Sequence, residues 1–466
     1  MKKGSILENV PIIDIGAKGK SVAKDDQFII FTDGAIPGDI ADIKLLRKKK
    51  GFGEGIVTEI KKYSKDRVQA LCQHFEYCGG CSWQNMNYNT QLQFKQKSVT
   101  DAMQRIGKIA FEDSLPIIGS ARTEYYRNRL DFAFSDRRWR TPEEMGDPEM
   151  IHEPGLGFHV PGKFDKVLDV KRCYLQMDPS NNIRLAIRTY AIENNLDFFD
   201  LRKQSGFLRS LVIRTTMAGD LMVLISFFRN DKEEINALMD FVKNKFPQIS
   251  SLYYVINPKA NDTMYDLEHY LYHGHPHIKE KLNNIWYQSG PKSFFQTNPF
   301  QAEVLFQKTK EMAGLKGNEI AYDLYTGVGS IALYIANAVK KVIGIETVEE
   351  AIAFAKLNAQ ENKIDNADFF AGDVKYLFND LFIEQHGKPD IIFTDPPRVG
   401  MDKEVVAQIL RLAPEKVVYV SCNPATQARD LDWMRERYRP IAMQAVDMFP
   451  HTYHVENIAV LEKIRP

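Results

Sequence analysis

From residue 299 onward the chain alternates short apolar runs with helical periods, and few architectures accept that pattern. Pro299–Leu315 reads as a helix, Ile320–Leu324 as a strand, Ile331–Ala338 as a helix, Lys341–Ile345 as a strand and Val348–Asn362 as a helix. Strands over Ala367–Ala371 and Asp390–Phe393 follow, then a helix over Lys403–Leu412. Val417-Val-Tyr-Val-Ser-Cys-Asn-Pro424 comes next, four β-prone residues running into a turn that presents a thiol. Pro440–Met448 and Asn457–Glu462 read as closing strands. Such alternation predicts an α/β, Rossmann-like domain with a largely parallel, doubly wound sheet. Right-handed crossovers put the strand ends on one rim, and ligands of such sheets bind there. Cys422 therefore stands where a reactive group belongs. The competing reading is a small buried apolar residue, a common fate of free cysteine.

Other strand ends carry ligand-type residues. Asp323-Leu-Tyr325-Thr-Gly327-Val-Gly329 is a glycine-containing loop between a strand and a helix. Glycines there let a ligand approach the backbone, and the helix N-terminus offers free N–H groups. Glu346 ends the next strand, where a carboxylate can accept from a ribose diol. The full GxGxxG fingerprint is absent. An adenosine without a pyrophosphate fits better than NAD, which points to S-adenosylmethionine, with Asp373 in Ala371-Gly-Asp373 as an adenine contact. Singly, each acid could equally be a helix cap. Thr394-Asp395-Pro-Pro-Arg398-Val-Gly400 ends the fourth strand, and its two prolines stiffen the loop so that Asp395 is held outward. A rigid turn without chemistry is the alternative there.

Ahead of this domain, residues 1–62 read as short strands between glycine turns: Asn9–Ile15, Gln27–Thr32, Asp39–Lys44 and Glu54–Ile60. That spacing predicts a small OB-like β-barrel. Residues 1–70 hold 14 Lys+Arg against 10 Asp+Glu, including the cluster Arg47-Lys-Lys-Lys50. Six arginines lie between 121 and 140: Arg122, Arg127, Arg129, Arg137, Arg138 and Arg140. Either patch suits RNA, though a charge run is more often a solvated face. Residues 63–290 read as an α+β middle domain, and 291–466 as the α/β domain.

Cys72, Cys78 and Cys81 lie within ten residues, the last two flanking Gly79-Gly80. Apart from Cys422, Cys173 is the only cysteine left to complete a set of four. Four thiolates suit a structural zinc or an iron–sulfur cluster, although C-x5-C-x2-C is not a usual zinc-ribbon spacing. Five cysteines in 466 residues are no disulfide scaffold. No run approaches 18 apolar residues and no apolar stretch follows Met1-Lys-Lys, so a cytoplasmic protein without a membrane span is expected. Nothing points to an obligate protein partner, and a monomer is expected.

Asp395-Pro-Pro-Arg-Val-Gly400, Ser421-Cys-Asn-Pro424 and Val446-Asp-Met-Phe-Pro-His-Thr-Tyr-His-Val-Glu456 together resemble the signature of RNA uracil-5-methyltransferases. Ser293-Phe-Phe-Gln-Thr-Asn298 resembles the start of that family's catalytic domain. Gly16–Gly19 with Ala35-Ile-Pro-Gly-Asp39 looks like a TRAM domain, an RNA-binding OB-like module. The barrel and the cysteines Cys72, Cys78, Cys81 and Cys173 resemble the iron–sulfur branch that methylates 23S rRNA, which implies a 4Fe-4S cluster on those four residues. One departure is Tyr325-Thr326, where many relatives carry Phe-Cys.

The resemblance implies a mechanism. Cys422 adds to uracil C6 so that C5 becomes nucleophilic, C5 takes the sulfonium methyl, and Glu456 removes the C5 proton. Gln296, Tyr325, Gly327, Glu346, Asp373 and Asp395 would contact the cofactor. Phe294, Asp395 and Arg398 would contact the flipped base. His451 and His454 would be structural. The same chemistry on tRNA is the nearer alternative; a non-catalytic RNA-binding iron–sulfur protein is the more distant one.

Overall fold

The computed structural model describes residues 2–26, 28–141, 144–145 and 153–465. Strands Ile6–Ile15, Ser21–Asp25, Phe28–Thr32, Ile40–Lys48 and Phe52–Lys62 close into a barrel. Its core is small: Val10, Ile12, Ala23, Ile30, Ala41 and Ile43. Ser21–Asp25 is absent from the expected set because it buries only Ser21 and Ala23 and carries no large apolar residue beyond Val22. Gln27, where an expected strand begins, lies outside the described residues.

A seven-stranded sheet follows, in the order His269–Gly274, Ser251–Ile256, Leu221–Phe227, Leu208–Thr215, Arg129–Ser135, Gly155–His159, Val167–Asp169. Leu211, Ile213, Val223 and Ile225 face the helices Ser180–Glu193 and Lys232–Lys245. Val212, Met222 and Leu224 face the other side, against Tyr253 and Ile278. Every residue of Leu221–Phe227 is buried, which is why it reads as a continuous apolar run rather than an alternation.

The third layer system is an eight-stranded sheet in the order Ala367–Ala371, Lys341–Glu346, Ile320–Leu324, Ile391–Thr394, Lys416–Ser421, Glu456–Lys463, Tyr438–Val446, Asp113–Ile118. The first five strands are parallel. Alternate residues of Lys416–Ser421 enter the two opposite cores, Val418 and Val420 one and Val417 and Tyr419 the other. Each such apolar side chain contributes about 1.5–3 kcal/mol by leaving water. The chain leaves Ile320–Leu324, runs out to the sheet edge and returns at Ile391–Thr394. That reversal opens a crevice above the strand ends.

Part of the segment between 63 and 290 completes this sheet. Asp113–Ile118 pairs in parallel with Tyr438–Val446. Helix Tyr88–Ala102 runs into the turn at Met103–Gly107, which docks on helix Pro424–Met434; a Cβ at Gly107 would stand 2.9 Å from the Ala428 carbonyl, so only glycine permits that approach. The hairpin Ile278–Leu282/Ile285–Ser289 covers helix Glu349–Glu361, with Gln288 N donating to Asn358 Oδ1 at 2.7 Å. Among the described residues no helix is long and apolar enough to cross a membrane.

Candidate active site

Lys416–Ser421 and the last strand, Glu456–Lys463, are antiparallel and pair from Lys416↔Glu462 to Ser421↔Asn457. One further step in that register sets Cys422 opposite Glu456. The reversed last strand thus starts on the rim where its parallel neighbours end. Both residues line a cavity of about 770 Å³, a size typical of ligand sites. Glu456 is 3% exposed, and its Oε2 has no hydrogen-bond partner among the described residues. A buried acceptor left unpaired is costly unless a ligand or a proton completes it.

The turn that carries the thiol is locked to the proline loop. Asn423 caps helix Pro424–Met434 and donates through Nδ2 to the Arg398 carbonyl at 2.8 Å. Thr426 Oγ1 donates to the same carbonyl at 3.2 Å, and Arg429 Nη2 donates to the Val399 carbonyl at 2.8 Å. Gly400 has φ +81, and a Cβ there would lie 2.6 Å from Asp430 Oδ2. The backbone of 398–400 is therefore fixed while the Arg398 side chain stays exposed.

The turn that precedes Glu456 is gripped by helix Tyr88–Ala102. Lys95 Nζ donates to Asp447 Oδ1 at 2.5 Å and to the Phe449 carbonyl at 2.9 Å, and both charged side chains are fully buried. Tyr88 OH donates to Asp447 Oδ2 at 2.7 Å. His451 N donates to Gln91 Oε1 at 2.9 Å, and Ser82 N and Trp83 N donate to the His451 carbonyl at 2.8 and 2.9 Å. Lys95→Ala would leave the buried Asp447 without its countercharge. It is expected to cost about 3–5 kcal/mol, seen as a lower urea midpoint; an unchanged midpoint would show that the turn does not depend on this pair.

Electrostatics in the cavity favour uncharged groups at rest. Burial pushes the Cys422 thiol up to about 12; Glu456 and Asp395 add to the rise, and Arg398 opposes it through charge and a hydrogen bond. Burial raises Glu456 well above the usual carboxyl range, Asp395 adding to it and Arg398 opposing it. Asp395, which accepts from Gln296 Nε2 at 3.4 Å, is raised to about 7 by burial and by Asp323. His454 is held neutral, lowered to about 4 by burial and by the charges of Arg398 and Arg127. Because only the thiolate is nucleophilic, iodoacetamide should label Cys422 faster with each step from about pH 7 to about pH 10 without levelling off. Arg398→Ala should slow labelling throughout. A plateau near neutrality, read by mass spectrometry, would contradict the raised thiol.

On the opposite wall, Glu346 Oε2 accepts from Gly327 N at 3.1 Å and Oε1 from Val348 N at 3.0 Å. Tyr325, Gly327 and Gly329 have φ of +68, +57 and +85. This left-handed turn opens the backbone toward the cavity, and a Cβ on Gly327 would meet nothing within 4 Å. Asp323 braces the loop by accepting from Thr326 Oγ1 at 2.6 Å and Ala332 N at 3.0 Å, while its buried Oδ1 lacks a partner among the described residues. Asp373 caps the helix Val374–Leu377, accepting from Lys375 N.

The structure brings Cys422, Glu456, Gln296, Tyr325, Gly327, Glu346, Asp373, Asp395, Phe294 and Arg398 to this one cavity. Phe294 is 61% exposed at its mouth. Arg127, Asp323, Phe449 and His454 also line it and were not singled out for it by sequence. Arg127 stood only in a run of arginines. That run is not one basic face: Arg138 bonds Glu144 and Glu153, Arg129 bonds Asp131, and Arg137 pairs with Asp136. Cys72, Cys78, Cys81 and Cys173 line a separate small hollow, all as free thiols. Among the described residues no three donor side chains converge as a metal site.

The profile of the tRNA (uracil-5-)-methyltransferase family matches residues 208–464, over half of the chain. The chain belongs to that family. Its enzyme class is therefore RNA (uracil-5-)-methyltransferase, and the non-catalytic alternative falls. Uncharacterized RNA methyltransferases from Porphyromonas gingivalis and Bacteroides thetaiotaomicron are 48% and 47% identical over 97% and 96% of this chain, and over 98% and 100% of their own lengths. Among solved structures, the Pyrococcus abyssi tRNA (uracil-54, C5)-methyltransferase in complex with S-adenosyl-L-homocysteine superposes with a TM-score of 0.74 at 29% identity, covering 98% of this chain and all of that one.

Proposed function

We propose that this methyltransferase converts a uridine of 23S rRNA to 5-methyluridine through a covalent Cys422–C6 adduct. The register that sets Cys422 opposite Glu456, whose Oε2 has no partner among the described residues, carries the reading. Phe294 at the mouth would stack on the flipped uracil, and Gln296 and Asp395 would hold its polar edge. Cys422 gives its proton to solvent, Arg398 favouring the thiolate, and the sulfur lone pair forms the S–C6 bond while the C5=C6 pair moves into an enolate. S-adenosylmethionine, when bound, supplies an electrophilic methyl for C5. Glu456 as carboxylate then takes the C5 proton; the freed pair restores C5=C6 and expels the Cys422 thiolate. Burial makes that carboxylate a stronger base than a solvated one.

The residues present fit S-adenosylmethionine: Glu346 and Asp373 end neighbouring strands, the space over Gly327 is open, and Asp323 Oδ1 is unpaired. The barrel of residues 1–62 and the segment 63–290 would present RNA to the catalytic unit at 291–466, and the enzyme would act as a cytoplasmic monomer. Mapping 5-methyluridine in a strain lacking the gene tests the substrate. Its loss from 23S rRNA supports the reading. Its loss from tRNA alone moves the chemistry to tRNA, a second reading favoured by the name of the Pyrococcus abyssi enzyme, whose likeness includes the barrel.

We infer a 4Fe-4S cluster on the four cysteines from their donor type alone, since among the described residues their side chains do not converge as a ligand set. Burial pushes Cys78 and Cys81 up to about 12, and the neighbouring thiols add to the rise, so binding a metal there would release protons. Gly80 N and Gln84 Nε2 donate to Cys78 Sγ and Cys81 Sγ, both at 3.4 Å, as amides do around cluster sulfurs. The methyl transfer moves no electrons from such a cluster, so its role is structural. A brown protein containing iron and sulfide is expected; a colourless, zinc-loaded one would refute the cluster.

A further inference from the structure

Beside the catalytic cavity lies a second hollow of about 140 Å³. Two stretches of chain line both. Arg127 and Phe294 face the catalytic cavity, whereas Arg129 and Lys292 face the hollow. Two residues of chain span at most about 7 Å, so the backbone positions that carry the two linings are about one nucleotide step apart. The dividing wall is rigid. Asn128 N donates to the Thr297 carbonyl at 2.8 Å, and Asn128 Nδ2 to the Gln296 carbonyl at 3.1 Å. Arg214, paired in register with Arg129, is buried and donates to the Gly290 carbonyl at 2.6 Å and to Ser289 Oγ at 2.9 Å.

Its lining has the chemistry of a base-reading site. Val212 and Leu224 give it an apolar floor. Tyr265 presents a ring that is 59% exposed. Arg129 and Asp131 form a two-pronged pair at 2.8 and 3.0 Å, leaving donors and an acceptor beside that floor. Lys292 has no ion pair among the described residues. Single-stranded RNA is read by stacking on aromatic and guanidinium planes and by hydrogen bonds to base edges, with cations on the phosphates.

We propose that this hollow receives the base of the nucleotide next to the target uridine, so that the enzyme selects its uridine partly by reading a neighbour. Arg129, Asp131 and Tyr265 contact that base, and Lys292 takes its phosphate. The inference rests on the uridine methylation proposed above. A flipped uridine leaves its neighbour unstacked, so a second receptor within one step of the first recovers part of the lost stacking.

The test uses the full-length protein and a pool of RNA hairpins, each with a single loop uridine between randomised nucleotides. 5-Methyluridine is read for each sequence by mass spectrometry of nuclease fragments. The wild-type protein should favour one base at one flanking position by about tenfold. Tyr265→Ala and Asp131→Asn, both at exposed side chains, should flatten that preference while the urea midpoint stays put. Lys292→Ala should weaken RNA binding alike for all sequences and lower the salt slope by about one. A wild-type enzyme indifferent to its neighbours, or a preference kept by both Tyr265→Ala and Asp131→Asn, would overturn the proposal. Absence of 5-methyluridine from every RNA would instead overturn the uridine reading beneath it.

Discussion

Cys422→Ala is expected to abolish 5-methyluridine formation, a fall of at least about 10⁴-fold in kcat. The size follows from the ring. Uracil C5 has no enolate character until a nucleophile has added at C6, and among the described residues the cavity holds no second cysteine to take over. The change should spare the rest of the site. Asn423 keeps its cap and its bond to Arg398, and the loop at Gly327 stands on separate strands. S-adenosylmethionine affinity, measured by calorimetry, should therefore stay within about twofold. Removing a half-buried thiol costs about 1 kcal/mol of stability at most. Transfer of a labelled methyl group to RNA reads the loss directly. A variant that still methylated at the wild-type rate would end the adduct mechanism while leaving the family assignment intact.

What could be read from sequence divides along the length of the contacts. The rim residues were legible because strand–helix alternation places every strand end on one edge; Asp395, Glu346 and Cys422 needed only local patterns and that rule. Glu456 needed more. Its place depends on the last strand running antiparallel, which no periodicity reveals; the motif resemblance implied only its role. Arg127 was hidden because it enters the cavity from the segment just before strand Arg129–Ser135 of another sheet, and charge alone did not separate it from Arg138, which is neutralised by Glu144 and Glu153. Asp113–Ile118 was illegible as a strand: it carries Asp113 and Pro116 and sits on an edge, where proline is tolerated. Its partner lies more than 300 residues downstream. The clamp of Lys95 and Gln91 on the turn before Glu456 was equally hidden, since a buried lysine in a helix reads as a solvated one.

Glu456→Gln should separate the two halves of the reaction. The amide fills nearly the same volume but cannot take the C5 proton, so the methylated adduct forms and does not break down. Turnover should fall about 10²–10⁴-fold, and a complex of protein and methylated RNA that survives denaturing electrophoresis should accumulate. The electrostatics give a second, opposite effect. Glu456 helps to raise the Cys422 thiol, and the amide removes that contribution while the opposing charge of Arg398 remains. In the free protein the variant's thiol should therefore react faster with iodoacetamide at alkaline pH, where the native Glu456 is ionised, even as catalysis slows. Damage to the fold would expose the thiol and speed labelling too, so the urea midpoint should stay unchanged; loss of a base beside the nucleophile slows only the second half. Adding Cys422→Ala should remove the trapped complex entirely. If Glu456→Gln instead trapped no RNA and left labelling unchanged, the proton acceptor would have to be sought elsewhere in the cavity, with Asp395 as the next carboxyl in reach of the same rim.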